Sequence, residues 1–214
     1  MNRGYFFKEN LEKIKKETIG KTILIAVSKT FPAEDIRLCY ELGQRHFGEN
    51  RVSELEQKAQ ELSDLKDIHW HFVGHLQSNK IKKLLSIKNL YAIHSVDKLS
   101  LLQNLIQEKN TAKLFLEVNT SGEKEKQGFS EITEIKEALK LASIEGLMTM
   151  AKWRTQDYLQ TAQECFQKLK DIRDLLNKEL KLSMGMSEDY PLAVKMGSDY
   201  IRVGQKIFGT RGNL

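Results

Sequence analysis

The sequence predicts a single (β/α)₈ barrel with one extra helix ahead of its first strand. Three observations predict it. Eight strand-like runs occur with helical segments between them, the rhythm of parallel βαβ units. The 214 residues suit eight compact units better than a broad open sheet. Polar and glycine residues gather where the runs end, while the runs themselves are apolar. Periodicity alone is also compatible with an open doubly wound sheet.

Each element follows from local pattern. Residues 5–18 form an amphipathic helix with Phe7, Leu11 and Ile14 on one face. Residues 22–27 are apolar on both faces, as in a strand buried on both sides. A helix over 34–42 follows, with Pro32 as a first-turn residue, Glu34 and Asp35 near its positive end, and Gly43 as its C-cap. Residues 45–50 make a short strand and turn, and 52–62 a helix. Residues 69–74 alternate like a strand, and 81–85 form a short helix. A strand over 90–96 leads to Asp97, expected to cap a helix reaching residue 108. After a strand over 112–118 and a polar loop over 119–128, Ser130 is expected to cap a helix to residue 142. A strand over 144–150, the longest helix over 156–176 and a strand over 182–186 come next. Ser187 is then expected to cap a helix over 188–196, and 200–203 is the last strand. No full helix follows that strand, so the first helix is assigned to cover the barrel there.

Composition narrows the function classes. Hydrophobic content is 40% and charged content 29%, ordinary values for a globular domain, and one domain is read across residues 1–214. The net charge is +5, but the lysines are scattered beside glutamates, which argues for solvated faces and against a nucleic-acid footprint. Cys39 and Cys165 lie in helix-like stretches without metal-type spacing and read as reduced residues of a cytoplasmic protein. No apolar run approaches the roughly 20 residues of a membrane span, and the first residues carry no signal-type core.

The chemistry is expected where the strands end. Lys29 follows the first strand, at the carboxyl end where parallel folds keep their sites. Partial desolvation there lowers an amine's pKa and frees it to attack a carbonyl, so Lys29 is read as a Schiff-base lysine. The alternative is a strand-end lysine that snorkels to solvent. Asn50, His75, Asn119 and Met184 fall at other strand ends. Ser187, Gly204 and Gln205 resemble a phosphate cradle: a hydroxyl, a residue that admits close backbone approach, and the next N–H. The alternative is an ordinary serine N-cap ahead of Glu188 and Asp189. Arg202, inside an apolar strand, needs either a ligand or a barrel carboxylate such as Glu117. His69 and His71 alternate on one strand without a third ligand at zinc spacing, so no metal is expected. Met148, Met150, Met184 and Met186 read as core methionines.

Taken together, six motifs carry a resemblance. They are Val27-Ser28-Lys29-Thr30, Phe47-Gly48-Glu49-Asn50, the run from Trp70 to Gln77, Gly146-Leu147-Met148, the run from Leu182 to Ser187, and the run from Arg202 to Gly209. In order and spacing they resemble the pyridoxal 5′-phosphate homeostasis protein family, itself similar to the barrel domain of alanine racemase and other fold-type III enzymes. The resemblance covers essentially the whole chain. It implies pyridoxal 5′-phosphate as cofactor, with Lys29 as the Schiff-base lysine and Ser187, Gly204 and Gln205 around the phosphate. It implies that Arg202 faces the pyridine nitrogen and that Asn50, His75 and Met184 are pocket positions.

An arginine at the ring nitrogen keeps that nitrogen unprotonated and makes the ring a poorer electron sink than an aspartate partner would. Two departures stand out. The loop after Met150, Ala151-Lys152-Trp153-Arg154-Thr155, is unusually basic, and the chain is expected to lack the all-β domain that supplies the racemase tyrosine. The implied function is a monomeric binding protein that buffers the cofactor in vitamin B6 homeostasis and supplies it to apo-enzymes, without nucleic acid or membrane partners. The alternatives are a small fold-type III racemase-like enzyme and a Schiff-base barrel aldolase.

Overall fold

Phe7, Leu11 and Ile14 recur at helical spacing, and all three are buried on one stripe of α1 (Arg3–Glu17). The architecture comes from a computed structural model that describes residues 3–18, 20–123, 126–152 and 156–210. Strand β1 (Ile23–Val27) is Ile-Leu-Ile-Ala-Val, a β-favouring run whose middle three residues are buried. It is followed by β2 (His46–Glu49), β3 (His69–Phe72), β4 (Leu90–Val96), β5 (Lys113–Glu117), β6 (Gly146–Met148), β7 (Lys181–Ser183) and β8 (Tyr200–Val203). Among the described residues these strands form a closed parallel barrel in sequence order, sealed where Ile23–Ala26 of β1 register with Tyr200–Val203 of β8. The closure excludes the open doubly wound alternative.

Helices α2 (Ala33–Glu41), α3 (Val52–Glu61), α4 (Ile81–Leu85), α5 (Leu99–Gln107), α6 (Ile132–Leu141), α7 (Tyr158–Leu176) and α8 (Tyr190–Lys195) return the chain between strands. Among the described residues only α9 (Gln205–Phe208) follows β8. It is a single turn and cannot cover the last strand alone. Helix α1 completes the wall: Phe7 meets Phe208 edge-on at 5.6 Å, and Asn10 Nδ2 donates to the Ile207 carbonyl at 3.1 Å. The assignment of the first helix to this position therefore holds.

The apolar core has two parts. The larger lies between strands and helices, and the smaller fills the barrel with Ile25, Ala92, Phe115, Met148 and Tyr200. Gly146 is obligatory in the wall, because a Cβ there would lie 2.1 Å from the Lys181 carbonyl oxygen. Cys39 and Cys165 are free and buried. Among the described residues no helix is long and apolar enough to cross a membrane.

The expected helix caps are where sequence and structure part. Pro32 is the N-cap of α2 and stands just outside its first turn. Asp97 does not cap α5, which starts after Lys98; its carboxylate faces His75 instead. Ser130 lies two residues ahead of the first residue of α6, whose N-cap is Glu131. Ser187 does not cap α8 either, since that helix begins after Asp189 and the serine turns toward Gly204. The expected strands over 144–150 and 182–186 shorten to β6 and β7, so Met184, Gly185 and Met186 belong to the loop beyond β7.

Candidate functional site

The carboxyl ends of the strands open onto one face, and Lys29 stands there two residues beyond β1, half-buried. Among the described residues its amine has no hydrogen bond or ion pair. Its backbone neighbours are fixed instead. Lys58, on α3 and almost fully buried, donates to the Ser28 carbonyl at 2.8 Å, to Glu49 Oε1 at 2.6 Å and to Glu54 Oε1 at 2.7 Å. Ser28 Oγ donates to the same Glu49 oxygen at 2.7 Å, and the Thr30 amide donates to Glu54. Thr30 adopts φ +70°, a left-handed conformation that a threonine keeps only when its surroundings enforce it. Burial pushes the Glu49 carboxyl up to about 7, against the pull of Lys58 and Ser28. Lys58 and Glu54 thus brace the turn that carries Lys29. Sequence reading missed both, because on α3 they look like an ordinary i,i+4 surface pair.

Glycine brings the end of β8 against the end of β1. A Cβ on Gly204 would lie 2.9 Å from the Val27 carbonyl oxygen, so the close approach needs glycine. The Gly204 amide points at Ser187 Oγ, 3.3 Å away, which brings two members of the expected phosphate cradle together. Gln205 follows as the exposed first residue of α9. Ser187 is not at a helix start, so its hydroxyl is free of the capping role that was its alternative. Of the two acids beside it, Asp189 is buried and accepts from Tyr158 Oη at 2.7 Å and from the Met186 amide, while Glu188 is exposed. Gly185, at φ +97°, makes the sharp turn after β7, where a Cβ would strike Ala193.

Arg202 is buried inside the barrel. Its Nη1 donates to Ser183 Oγ at 2.7 Å and its Nη2 to the Thr149 carbonyl at 2.8 Å. The expected alternative, an ion pair with Glu117, is not formed among the described residues. Both groups register the strain of burial: the guanidinium is pulled down to about 10, and the Glu117 carboxyl is pushed up to about 7 although the Arg202 charge draws it down. Among the described residues the Arg202 hydrogen bonds go only to neutral acceptors, while the Asp189 and Glu117 carboxylates favour its charge from a distance.

The remaining expected positions separate. Asn50 and His75 share a crevice of about 220 Å³ at the barrel mouth, with Gln77 and Lys80 on its walls. The backbones beneath are tightly matched, since a Cβ on Gly74 would overlap the Asn50 carbonyl. His75 Nδ1 lies 3.3 Å from Asp97 Oδ2. Met184 is fully buried and packs in the outer core, away from the barrel interior. Of the basic loop, Trp153, Arg154 and Thr155 lie outside the described residues, and Lys152 stands 3.9 Å from Glu123. Sequence reading also missed His46 and His94, which join His71 inside the barrel. The signal was present: these three recur 25 and 23 residues apart, one βα unit each.

Comparison with known proteins follows the same lines. The profile of the family described as alanine racemase, N-terminal domain, matches residues 6–212. The pyridoxal phosphate homeostasis protein of Schizosaccharomyces pombe is 41% identical over 213 residues, covering 93% of this chain and 89% of that protein. The Homo sapiens protein of the same name is 40% identical over 210 residues, covering 88% of this chain and 76% of that one. Among solved structures, PipY of Synechococcus elongatus, determined with PLP bound, matches with a TM-score of 0.85 at 36% identity, over 95% of this chain and 100% of that one. Alanine racemase from E. faecalis shares the fold, with a TM-score of 0.74 at 16% identity over 98% of this chain and 59% of its own. The chain belongs to the alanine racemase N-terminal domain family and, within it, to the pyridoxal phosphate homeostasis proteins.

Proposed function

We propose that this chain binds pyridoxal 5′-phosphate through a Schiff base on Lys29 and serves in vitamin B6 homeostasis as a carrier rather than a catalyst. Arg202 carries the reading: a buried guanidinium whose hydrogen bonds among the described residues go only to neutral acceptors suits a lone pair such as a pyridine nitrogen. The donor set fits the rest of the cofactor. Among the described residues Lys29 offers an amine without a competing partner, and Ser187, Gly204 and Gln205 offer a hydroxyl and backbone N–H groups suited to a phosphate. Asn50 and His75 lie at the mouth, where they bear on entry and exit.

Bound pyridoxal phosphate supplies an electrophilic aldehyde carbon and a ring that drains electrons from bonds at an attached amino acid. Arg202 limits the second property. It would donate to the ring nitrogen without protonating it, which would favour holding the cofactor over breaking bonds at an α-carbon. The single binding domain, residues 1–214, acts as a monomer in the cytoplasm and delivers cofactor to apo-enzymes. Similarity to pyridoxal phosphate homeostasis proteins and the free, buried Cys39 and Cys165 support that setting.

The test incubates the loaded protein with each common amino acid in deuterated water and follows α-proton exchange by NMR, with Lys29→Ala as control. The carrier reading expects no turnover and restored activity of an added apo-enzyme. Repeated turnover with one amino acid, lost in Lys29→Ala, would make the protein a racemase-like catalyst instead.

A further inference from the structure

A file of polar groups crosses the apolar interior of the barrel. His46 Nδ1 lies 2.9 Å from His71 Nε2, and His71 Nδ1 lies 2.9 Å from His94 Nε2. His94 Nδ1 lies 2.9 Å from Ser183 Oγ, the atom that accepts from Arg202. His71 and His94 are fully buried and His46 is half-buried at the far end. The His94 ring is stacked on Phe115 at 4.3 Å, so it has little freedom to turn.

The end of the file dictates its direction. An arginine only donates, so Ser183 Oγ accepts from it. The serine hydrogen then has one acceptor within reach among the described residues, His94 Nδ1. Burial holds His71 and His94 well below the ordinary imidazole range and His46 down to about 4, so each ring is neutral and carries one hydrogen. With Nδ1 of His94 accepting, its hydrogen is on Nε2 and passes to His71 Nδ1. The same step repeats from His71 to His46.

We propose that Ser183 and His94 are positioning residues for Arg202, and that Arg202 in turn sets His94, His71 and His46 as Nε2–H tautomers. Every hydrogen bond in the file then points its electron-rich end toward the guanidinium. Among the described residues no carboxylate hydrogen-bonds to the guanidinium, where it would compete with a ring nitrogen for the same N–H groups; Asp189 and Glu117 favour the charge from a distance. The tautomer pattern stands on the geometry alone. The positioning role rests on the reading of Arg202 as the group facing the cofactor ring.

The experiment has two arms. Long-range ¹H–¹⁵N correlation spectra of the labelled, cofactor-free wild type at pH 7 should give the Nε2–H pattern for His71 and His94. An Nδ1–H pattern or an imidazolium at either would overturn the proposal, and this arm needs no variant to fold. In the second arm Ser183→Ala should weaken binding of pyridoxal 5′-phosphate about tenfold and move its visible band, and Ser183→Thr should restore both. Unchanged affinity and band in Ser183→Ala would end the positioning role while leaving the cofactor reading intact. Wild-type protein that binds no pyridoxal 5′-phosphate would end the cofactor reading and the positioning role with it.

Discussion

Replacing Arg202 by glutamine separates a ligand group from a structural ion pair. In the folded protein the guanidinium is drawn from its ordinary 12.5 to about 10, chiefly by burial. At about 1.4 kcal/mol per pH unit, the fold disfavours this charge by about 3 kcal/mol at neutral pH. Arg202→Gln releases that cost. Against it stands one acceptor, Ser183 Oγ or the Thr149 carbonyl, left without its donor at about 1–3 kcal/mol. The two nearly cancel, so the cofactor-free variant should unfold in urea within about 2 kcal/mol of wild type. Binding should not survive as well. Saturating pyridoxal 5′-phosphate at about 100 times Kd stabilises wild type by about 2.7 kcal/mol, and the variant should lose most of that shift. The assay is urea unfolding of both proteins with and without cofactor. A cofactor-free variant destabilised by more than about 4 kcal/mol would make Arg202 a structural residue, and a variant with the full cofactor-induced shift would remove it from the site.

Three further outcomes follow from the geometry. Gly204→Asp sets a side chain against the Val27 carbonyl and a negative charge beside Ser187, so affinity for pyridoxal 5′-phosphate should fall by about 1–3 kcal/mol in a titration, and pyridoxal lacking the phosphate should be affected less; equal losses would put the cradle elsewhere. Glu117 has a folded carboxyl raised from 4.5 to about 7, so the stability it contributes when protonated is fully present below about pH 4.5 and is lost, to about 3 kcal/mol, as pH rises through 7. Glu117→Gln should flatten the pH profile of urea unfolding between pH 5 and 8, and an unaltered slope would refute the assignment. Phe7→Ala empties the fully buried contact with Phe208 and should cost about 3–5 kcal/mol in the same assay; a loss under about 1 kcal/mol would show that α1 is not part of the wall.

Much of this molecule was legible in its sequence, and the failures share one cause. The strand at Leu90–Val96 and the short helix at Ile81–Leu85 match their expected bounds, because apolar period and length decide them locally. Asp97, Ser130 and Ser187 read as helix caps because each stands before a helical pattern. Asp97 and Ser187 are instead taken by partners from other units of the barrel, His75 and the Gly204 amide. Lys58 falls among the lysines scattered beside glutamates, yet folding sets it under Ser28, and Arg202, open in the sequence between a ligand and Glu117, takes Ser183 and Thr149 as hydrogen-bond acceptors on closure. His69 and His71 read as a pair along one strand, whereas the histidines that hydrogen-bond to one another come from three. Local pattern specifies elements; the strand ends and the barrel interior are assembled across units, where a linear reading has least purchase.

The proposed function depends on Lys29 holding the cofactor. Borohydride reduction of the protein loaded with pyridoxal 5′-phosphate, followed by peptide mass mapping, tests it most directly. One stoichiometric adduct is expected on the peptide containing Ser28-Lys29-Thr30. An adduct on another lysine with Lys29 unmodified would contradict it.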